Sequence, residues 1–305
     1  MNDVVITVEG LRKRYGETAA VDGIGFEVHR GEIFGLLGPN GAGKTTTLEC
    51  LEGLREADEG RISILGIDPA AGPRAIAKVI GVQLQTSGLP GTMRVDEAMR
   101  LFSAYHHVAP RYDLLERLGL GAKRTSQYRR LSVGLKRRLE LALAVAHNPS
   151  LVLFDEPTAG LDVESRNELH ALMTELRAEG TAIILATHDM AEAEKLSDRV
   201  AILLQGRIAA LGTPRELTAA GAGLTKVSVR SERSTLRGRT LDLPSVENSA
   251  ESENYAIYLT TDPGATVAAL LAALAADEDP LIDLRVERPS LEERFLEITR
   301  QGVRR

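Results

Sequence analysis

A glycine-rich stretch near residue 40 has the composition and spacing of a phosphate-binding loop. It reads GPNGAGKTT, follows the apolar run Ile33–Leu37 and precedes a helical pattern over Thr46–Leu54. Glycines at this spacing let the backbone wrap around phosphate oxygens, and the amides at the start of a helix point toward the anion. We therefore predict phosphate binding by the whole stretch: Gly38, Pro39, Asn40, Gly41, Ala42, Gly43, Lys44, Thr45 and Thr46. Within this pattern, Lys44 is expected to reach the β- and γ-phosphates and Thr45 to ligate Mg²⁺.

A pair of carboxylates follows a second apolar run, in LVLFDEPTAGLD (Leu151–Asp162). Four consecutive apolar residues predict a buried strand that ends at Asp155 and Glu156, and ligands bind at that end of an open parallel sheet. Adjacent side chains on a strand point to opposite faces, so the two carboxylates are expected to have different roles. We predict that Asp155 holds Mg²⁺ and that Glu156 polarises a water for in-line attack.

A histidine follows a third β-branched run, TAIILATHDM. A lone histidine after a strand is most often structural. Because this strand is expected in the same sheet as the other two, we predict that His188 contacts the γ-phosphate.

Composition limits the classes of protein to consider. The chain has 305 residues, 43% hydrophobic, with only 4% aromatics and no Trp, so its core must be aliphatic. The net charge of −6 disfavours nucleic acid as a partner, and none is expected. The single cysteine, Cys50, fits a reducing compartment and is interpreted as a packed thiol. The start of the chain lacks a signal-peptide pattern, and the longest apolar run, Val267–Ala276, is about half a membrane helix, which predicts a cytoplasmic location.

The order of patterns predicts an α/β fold in two domains. Residues 1–212 alternate strand and helix patterns, interrupted by a helical insert at about 86–147. Residues 213–224 are predicted to be a linker, and residues 225–305 a small α/β domain in which Thr240–Asn254 forms a loop. The predicted strands of the first domain are Val4–Val8, Ile33–Leu37, Val79–Leu84, Leu151–Phe154, Ala182–Thr187 and Val200–Gln205.

Taken together and in this order, the motifs resemble the nucleotide-binding subunit of ABC transporters, a P-loop NTPase fold, over roughly Val4 to Thr213. The loop at Gly38–Thr46 matches the Walker A motif, and Phe154-Asp155-Glu156 match Walker B with its catalytic glutamate. By the same resemblance His188 is the switch histidine, and Lys44, Glu156 and His188 are the catalytic side chains.

The resemblance implies further residues in contact with ATP. Tyr15 matches the aromatic that stacks on adenine, and Gln85 matches the glutamine that reaches Mg²⁺ and reports to the membrane subunit. Ser132 and Gly134 occupy the signature position in LSVGL, and Asp162 belongs to the dimer-contact loop.

The resemblance also implies partners. ATP on one subunit would be closed over by the signature of another in a homodimer or heterodimer, and a separate integral-membrane permease would be moved by closure. The subunit would then be peripheral on the inner face of the membrane, with the segment Gln85–Phe102 near the permease groove. The tail LRVERPSLEERFLEIT (Leu284–Thr299) resembles the drug and polyketide-antibiotic exporter branch of the daunorubicin-resistance type.

The signature departs from the family pattern Leu-Ser-Gly-Gly-Gln, because Val133 and Leu135 replace a glycine and the glutamine. If position 133 requires a positive φ, valine costs about one to a few kcal/mol, whereas in a first helical turn it is tolerated. The cations Lys136–Arg138 oppose the helix dipole, which predicts either a partner's anion at this helix end or a solvated face. Ala159 stands where serine is common in the dimer-contact loop.

Three functions are consistent with these patterns. The first is an ATP-hydrolysing subunit that powers an exporter of a drug-like or lipid-like molecule. The second is a nucleotide-gated regulatory subunit that hydrolyses weakly because of its signature. The third is a soluble ABC ATPase acting on ribosomes or DNA, but the sequence has no second cassette, long coiled coil or basic arm.

Overall fold

The chain divides into two units, Met1–Pro214 and Arg215–Arg305, which are described separately. The computed structural model describes residues 3–83, 88–219, 224–237, 243, 245–252, 254–287 and 290–302. Gln85, predicted to contact Mg²⁺, lies outside these described residues.

The first unit alternates strands and helices. Its strands are β1 (Val4–Tyr15), β2 (Thr18–His29), β3 (Ile33–Leu37), β4 (Glu59–Ile64), β5 (Ile80–Gln83), β6 (Leu151–Asp155), β7 (Ala182–Thr187), β8 (Arg199–Leu204) and β9 (Arg207–Gly212). Its helices are α1 (Lys44–Leu51), α2 (Pro73–Val79), α3 (Val95–Tyr105), α4 (Tyr112–Arg117), α5 (Val133–Val145), α6 (Val163–Ala178) and α7 (Met190–Leu196), and α8 (Pro214–Ala219) begins at the unit boundary. None of the helices in the described ranges has the length and apolar character needed to cross a membrane.

A six-stranded sheet in the order β5-β6-β7-β3-β8-β9 positions the site. All neighbouring pairs are parallel except β8 and β9, so the carboxyl ends of β3, β6 and β7 lie at one edge. Strand β6 is buried along its whole length: Leu151 and Leu153 pack into one core, Val152 and Phe154 into the other. A strand buried on both faces has no polar alternation, which explains its continuous apolar sequence.

An antiparallel sheet in the order β2-β1-β4 covers one of these cores. The sequence predicted only the first residues of β1, as Val4–Val8, and it missed β2, β4 and β9. Several register shifts interrupt the β1–β2 pairing, and buried residues are mixed irregularly with exposed polar ones in β1, whereas in β2 they alternate regularly from Ile24 to Val28. Bulges of this kind break the two-residue periodicity that makes a strand recognisable. Cys50 of α1 is packed here, and burial raises the pKa of its thiol to about 11.

The other core joins the sheet to a group of helices between β5 and β6. Helices α3, α4 and α5, with 3₁₀ turns at Gly121–Lys123 and Tyr128–Arg130, occupy the segment predicted as a helical insert. Their apolar faces meet through Met99, Leu115 and Leu139. The signature segment is thereby held at the start of α5.

The described residues of the second unit form an antiparallel sheet in the order β11-β12-β10-β13. Its elements are β10 (Thr225–Ser231), β11 (Val246–Ser252), β12 (Tyr255–Thr260), α9 (Pro263–Ala276), β13 (Leu281–Glu287) and α10 (Leu291–Gly302). Leu270 and Leu274 of α9 pack with Val227 and Tyr258 of the sheet. The prediction of a loop over Thr240–Asn254 is wrong, because β11 lies within it. This edge strand is exposed at almost every residue, so it carries no apolar pattern.

Candidate active site

A cavity of about 460 Å³ opens at the carboxyl edge of the six-stranded sheet. Its lining comes from the β1–β2 hairpin, the loop after β3 and the end of β6: Tyr15, Ala20, Pro39, Asn40, Gly41, Gly43, Lys44, Thr45, Thr46, Asp155 and Glu156. Ala20 was not predicted to line the site, because an alanine side chain carries no functional group that would indicate binding. Of the predicted loop residues, Gly38 and Ala42 do not line the cavity. The Gly38 carbonyl instead accepts a hydrogen bond from Lys44 Nζ, and the Ala42 carbonyl accepts one from the Gly206 N–H.

Two glycines are required by close packing of the loop. A Cβ atom on Gly43 would lie 2.4 Å from the Ala20 carbonyl oxygen, and the residue has a φ of 106°. A Cβ atom on Gly38 would lie 2.5 Å from the Leu203 carbonyl oxygen. Since both obstacles are backbone atoms of neighbouring strands, larger residues would displace the loop from the start of α1.

Lys44 is held at the base of the loop with only 6% of its surface exposed. Its Nζ donates to the carbonyl oxygens of Gly38 at 2.7 Å and Pro39 at 3.3 Å. It also lies 3.6 Å from Oε1 of Glu156. The ammonium group is therefore fixed in position by the protein, as a group that must meet phosphate oxygens should be.

Glu156 lies between Lys44 and His188. Its Oε2 is 2.7 Å from Nδ1 of His188, which follows β7, and the glutamate is 6% exposed. The sequence predicted separate roles for Asp155 and Glu156 from strand alternation, but β6 ends at Asp155. Glu156 instead has a φ of 50°, and its N–H donates to the Ala186 carbonyl at 2.9 Å. This left-handed turn, not the pleat, separates the two carboxylates.

Asp155 faces the first turn of α1. Thr45 Oγ1 donates to its Oδ2 at 3.0 Å, while its Oδ1 is buried and has no hydrogen-bond partner among the described residues. Burial raises the pKa of Asp155, and the charge of Glu156 adds to this, although the bond from Thr45 acts in the opposite direction. A hydroxyl and a desolvated carboxylate thus lie side by side beside the phosphate loop.

Tyr15 ends β1 at the mouth of the cavity and is 42% exposed. The guanidinium carbon of Arg55 lies 5.6 Å from the centre of its ring. The predicted aromatic is therefore available at the cavity, with a cation beside it.

The predicted signature and dimer-loop residues begin helices away from this cavity. Ser132 caps α5 by accepting from the Leu135 N–H at 3.3 Å. Asp162 caps α6 by accepting from the Ser165 N–H at 2.7 Å, and this bond lowers the pKa of the carboxyl. The described residues that line the cavity include neither of these caps nor Gly134. These predicted residues are therefore not brought to the cavity within this chain.

The cations after the signature are engaged within the chain. Arg138 donates to Ser165 Oγ at 3.0 Å and pairs with Glu168 at 2.6 Å. Arg137 pairs with Glu140 at 3.3 Å, and only 14% of the arginine side chain is exposed. Both arginine side chains are therefore mostly buried and do not form a solvated face, and their charges are paired with Glu140 of α5 and Glu168 of α6. The link from Arg138 to the start of α6 was not predicted from sequence.

Replacing Val133 with glycine is expected to leave ATP turnover within about twofold of the parent and to give no gain. Val133 is the first residue of α5, outside the residues with positive φ, and is 60% exposed, so it causes no backbone strain. Steady-state phosphate release at saturating ATP measures this. A severalfold gain would instead support a signature weakened by valine, and with it the weakly hydrolysing regulatory function.

The fold and this cavity define a nucleotide-binding protein of the P-loop class. The family model for ABC transporters matches residues 21–159. Over 98% of its length the chain is 36% identical to the Nod factor export ATP-binding protein I of Ralstonia nicotianae, covering 95% of that protein. It is 34% identical, again over 98%, to the daunorubicin resistance ATP-binding protein DrrA3 of Streptomyces coeruleorubidus, covering 97%. A solved structure described as the ATP binding subunit of an ABC transporter superposes with a TM-score of 0.66 at 32% identity, over 70% of this chain and 91% of that one.

The chain therefore belongs to the ATP-binding proteins of ABC transporters, which are ATPases. Its resemblance to the drug-exporter branch, predicted from the tail, is confirmed by the daunorubicin resistance relative.

Proposed function

We propose that this chain is the ATP-hydrolysing subunit of an exporter, and that it drives a separate integral-membrane permease. The observation that carries the proposal is the placement of Glu156, buried between Lys44 and His188 beside the phosphate loop. A carboxylate fixed at this edge can orient and polarise a water for attack on a terminal phosphate.

Mg²⁺ fits the oxygen atoms beside the loop. The Thr45 hydroxyl and the buried Oδ1 of Asp155, which has no hydrogen-bond partner among the described residues, are the hard donors that this ion takes from proteins, the rest coming from phosphate and water. When bound, the ion would neutralise charge on the β- and γ-phosphate oxygens. Gln85, which lies outside the described residues, is proposed as a further ligand.

The remaining roles in ATP binding and hydrolysis are assigned to residues of the chain. The amides of the loop and the Nζ of Lys44 hold the phosphates, and Tyr15 stacks on adenine. Glu156 accepts hydrogen-bond donation from the attacking water, while His188 holds the carboxylate in place and reaches toward the γ-phosphate. Each contribution stabilises charge or position, which is what phosphoryl transfer requires of a protein.

We propose that each site is completed by a second nucleotide-binding subunit, identical or related. The helix ends capped by Ser132 and Asp162 are away from the chain's own cavity, and the N-terminus of α5 is suited to an anion. In this arrangement Ser132, Gly134 and Asp162 contact ATP bound to the partner. ATP-driven closure of the dimer would then move the permease.

The names of the relatives support a proposal for the cargo. Their names describe Nod factor export and daunorubicin resistance, so we propose a drug-like or lipid-like cargo for this chain. The subunit would be cytoplasmic and peripheral on the inner face of the membrane through its permease. Nucleic acid is not expected as a partner.

Reconstitution tests this function. The chain should co-purify with a membrane protein of about six spans encoded beside it, and ATP hydrolysis by the complex should respond to cargo. The Glu156→Gln complex, assembled in the same way, serves as the inactive control. A chain that hydrolyses ATP but associates with ribosomes or DNA, and not with a permease, would contradict the proposal.

A further inference from the structure

A buried histidine–glutamate pair joins helices α6 and α7 in the first unit. His170 of α6 is 7% exposed and Glu192 of α7 is 4% exposed. Nε2 of the histidine lies 2.9 Å from Oε1 of the glutamate. The described residues that line the phosphate cavity include neither of the two, and the sequence predicted no role for them. A buried polar pair of this kind is a link between elements rather than a contact with ATP.

The histidine is the donor in this link. An ionised carboxylate accepts hydrogen bonds but donates none, so Nε2 of His170 carries the hydrogen. Oε2 of Glu192 is buried and has no hydrogen-bond partner among the described residues, so the carboxylate relies on the bond at Oε1. Bonds to a charged acceptor are stronger than neutral ones, and burial keeps water from competing for it.

Glu192 also takes part in the cap of α7, which begins two residues after His188. The Glu192 N–H donates to Oδ1 of Asp189 at 3.0 Å, and the Asp189 N–H donates to Oγ1 of Thr187 at 3.0 Å. These two bonds bracket His188 in the chain. Because α7 has only seven residues, Met190–Leu196, its stability must come from contacts with other elements.

The side chain of His188 has little packing of its own to hold it. It is 62% exposed, although its Nδ1 lies 2.7 Å from Oε2 of Glu156. Its position therefore depends on the backbone between the end of β7 and the start of α7. A further contact between α6 and the cap, from Arg166 to Asp189 at 4.0 Å, is exposed on both sides and contributes little.

We propose that His170 and Glu192 are positioning residues for ATP hydrolysis. Their hydrogen bond fixes the start of α7 against α6 and thereby holds His188 beside Glu156. The inference rests on the role proposed for His188 and adds how the position of that side chain is set. Since α6 begins at the cap residue Asp162, the same bond ties His188 to the predicted dimer-contact loop.

Replacing His170 with phenylalanine in the full-length chain is expected to lower kcat for ATP hydrolysis about tenfold. Phenylalanine keeps the ring but removes the N–H that reaches Glu192. KM for ATP should stay within about twofold, because Lys44 and the phosphate loop are untouched. Glu192→Gln is the conservative variant: its side-chain oxygen still accepts the bond, so kcat should stay within about twofold of the parent. Phosphate release over a range of ATP concentrations measures both constants.

A double-mutant cycle tests whether the pair acts through His188. His188→Ala alone should lower kcat, and adding His170→Phe to it should lower kcat less than about twofold further. Single-turnover hydrolysis of radiolabelled ATP measures these low rates. A tenfold loss in both backgrounds would show that the pair does not act through His188, and would overturn the proposal.

Met173→Ala is the control for stability. Met173 lies on α6, is fully buried and packs in the apolar core, so this variant opens a cavity without removing the link to α7. It should lower Tm at least as much as His170→Phe, yet leave kcat within about twofold at a temperature where both are folded. If kcat falls equally in the two variants, the pair is merely structural.

A further variant covers a folding failure of His170→Phe, which leaves a buried carboxylate without its donor. His170→Phe/Glu192→Leu replaces the whole pair with apolar side chains, which restores much of the stability. The double variant should fold and still hydrolyse ATP about tenfold more slowly than the parent. A parental kcat in this folded variant would overturn the proposal.

The results separate this inference from the proposed function. If His188→Ala hydrolyses ATP at the parental rate, the role proposed for His188 fails, and the positioning role of the pair fails with it. If His188→Ala is slow but folded His170→Phe hydrolyses at the parental rate, only the positioning role is overturned.

Discussion

Replacing Glu156 with glutamine is expected to lower the rate of ATP hydrolysis by about 100-fold or more while ATP still binds. Glutamine keeps the volume of this buried side chain and its contact with His188, but it lacks the negative charge that polarises the attacking water. Loss of the charge next to Lys44 Nζ, 3.6 Å away, should not weaken binding, because the ammonium retains the carbonyls of Gly38 and Pro39.

Three measurements check this result. Phosphate release gives the rate, titration with a fluorescent ATP analogue gives the Kd, and size exclusion with ATP and Mg²⁺ should show an accumulated dimer. Glu179→Gln, at an exposed glutamate that caps the end of α6, is the control and should behave as the parent. Hydrolysis by Glu156→Gln at the parental rate would remove Glu156 from the catalytic role.

Replacing Lys44 with methionine is expected to raise the Kd for ATP by about 10- to 100-fold, and Lys44→Ala at least as much. Methionine retains most of the aliphatic stem in this buried position and leaves no large cavity. The loss of ATP affinity therefore measures the contribution of the positive charge. Glu156 would also lose its neighbouring cation, leaving two carboxylates at the edge of the site and no ammonium to oppose a phosphate.

The ATP analogue titration measures this effect, with Lys195→Ala, at an exposed lysine of α7, as the control. Thermal unfolding without nucleotide should accompany it, so that a folding defect is recognised. An unchanged Kd in folded Lys44→Met would contradict the assignment of the phosphate loop.

The pair of variants separates binding from chemistry. Glu156→Gln should retain ATP and fail to hydrolyse it, whereas Lys44→Met should lose binding. If both variants lost binding alike, the buried contact between the two side chains would be structural. The proposed division of roles would then need revision.

The sequence by itself determined the chemistry and the parallel strands beneath it. The phosphate loop and the carboxylates at the end of β6 have local signals, because a loop around phosphate needs glycine and a strand buried on both faces needs an unbroken apolar run. The limits of β3 and β7 were predicted to the residue for the same reason. Strands β4, β9 and β11 lacked such signals because their residues are largely exposed, whereas β2 was missed although its buried residues alternate from Ile24 to Val28.

Only the tertiary structure decided how the side chains of the site are paired. Glu156 reaches His188 because the chain turns with a positive φ after β6. A glutamate in the sequence does not predict this conformation. The internal pairing of Arg137 and Arg138 depends on which carboxylates the neighbouring residues and helices place beside them. The burial of Glu52 likewise follows from packing between distant elements. The sequence shows which charged residues a chain contains. Which residue pairs with each of them depends on neighbours that only folding brings together.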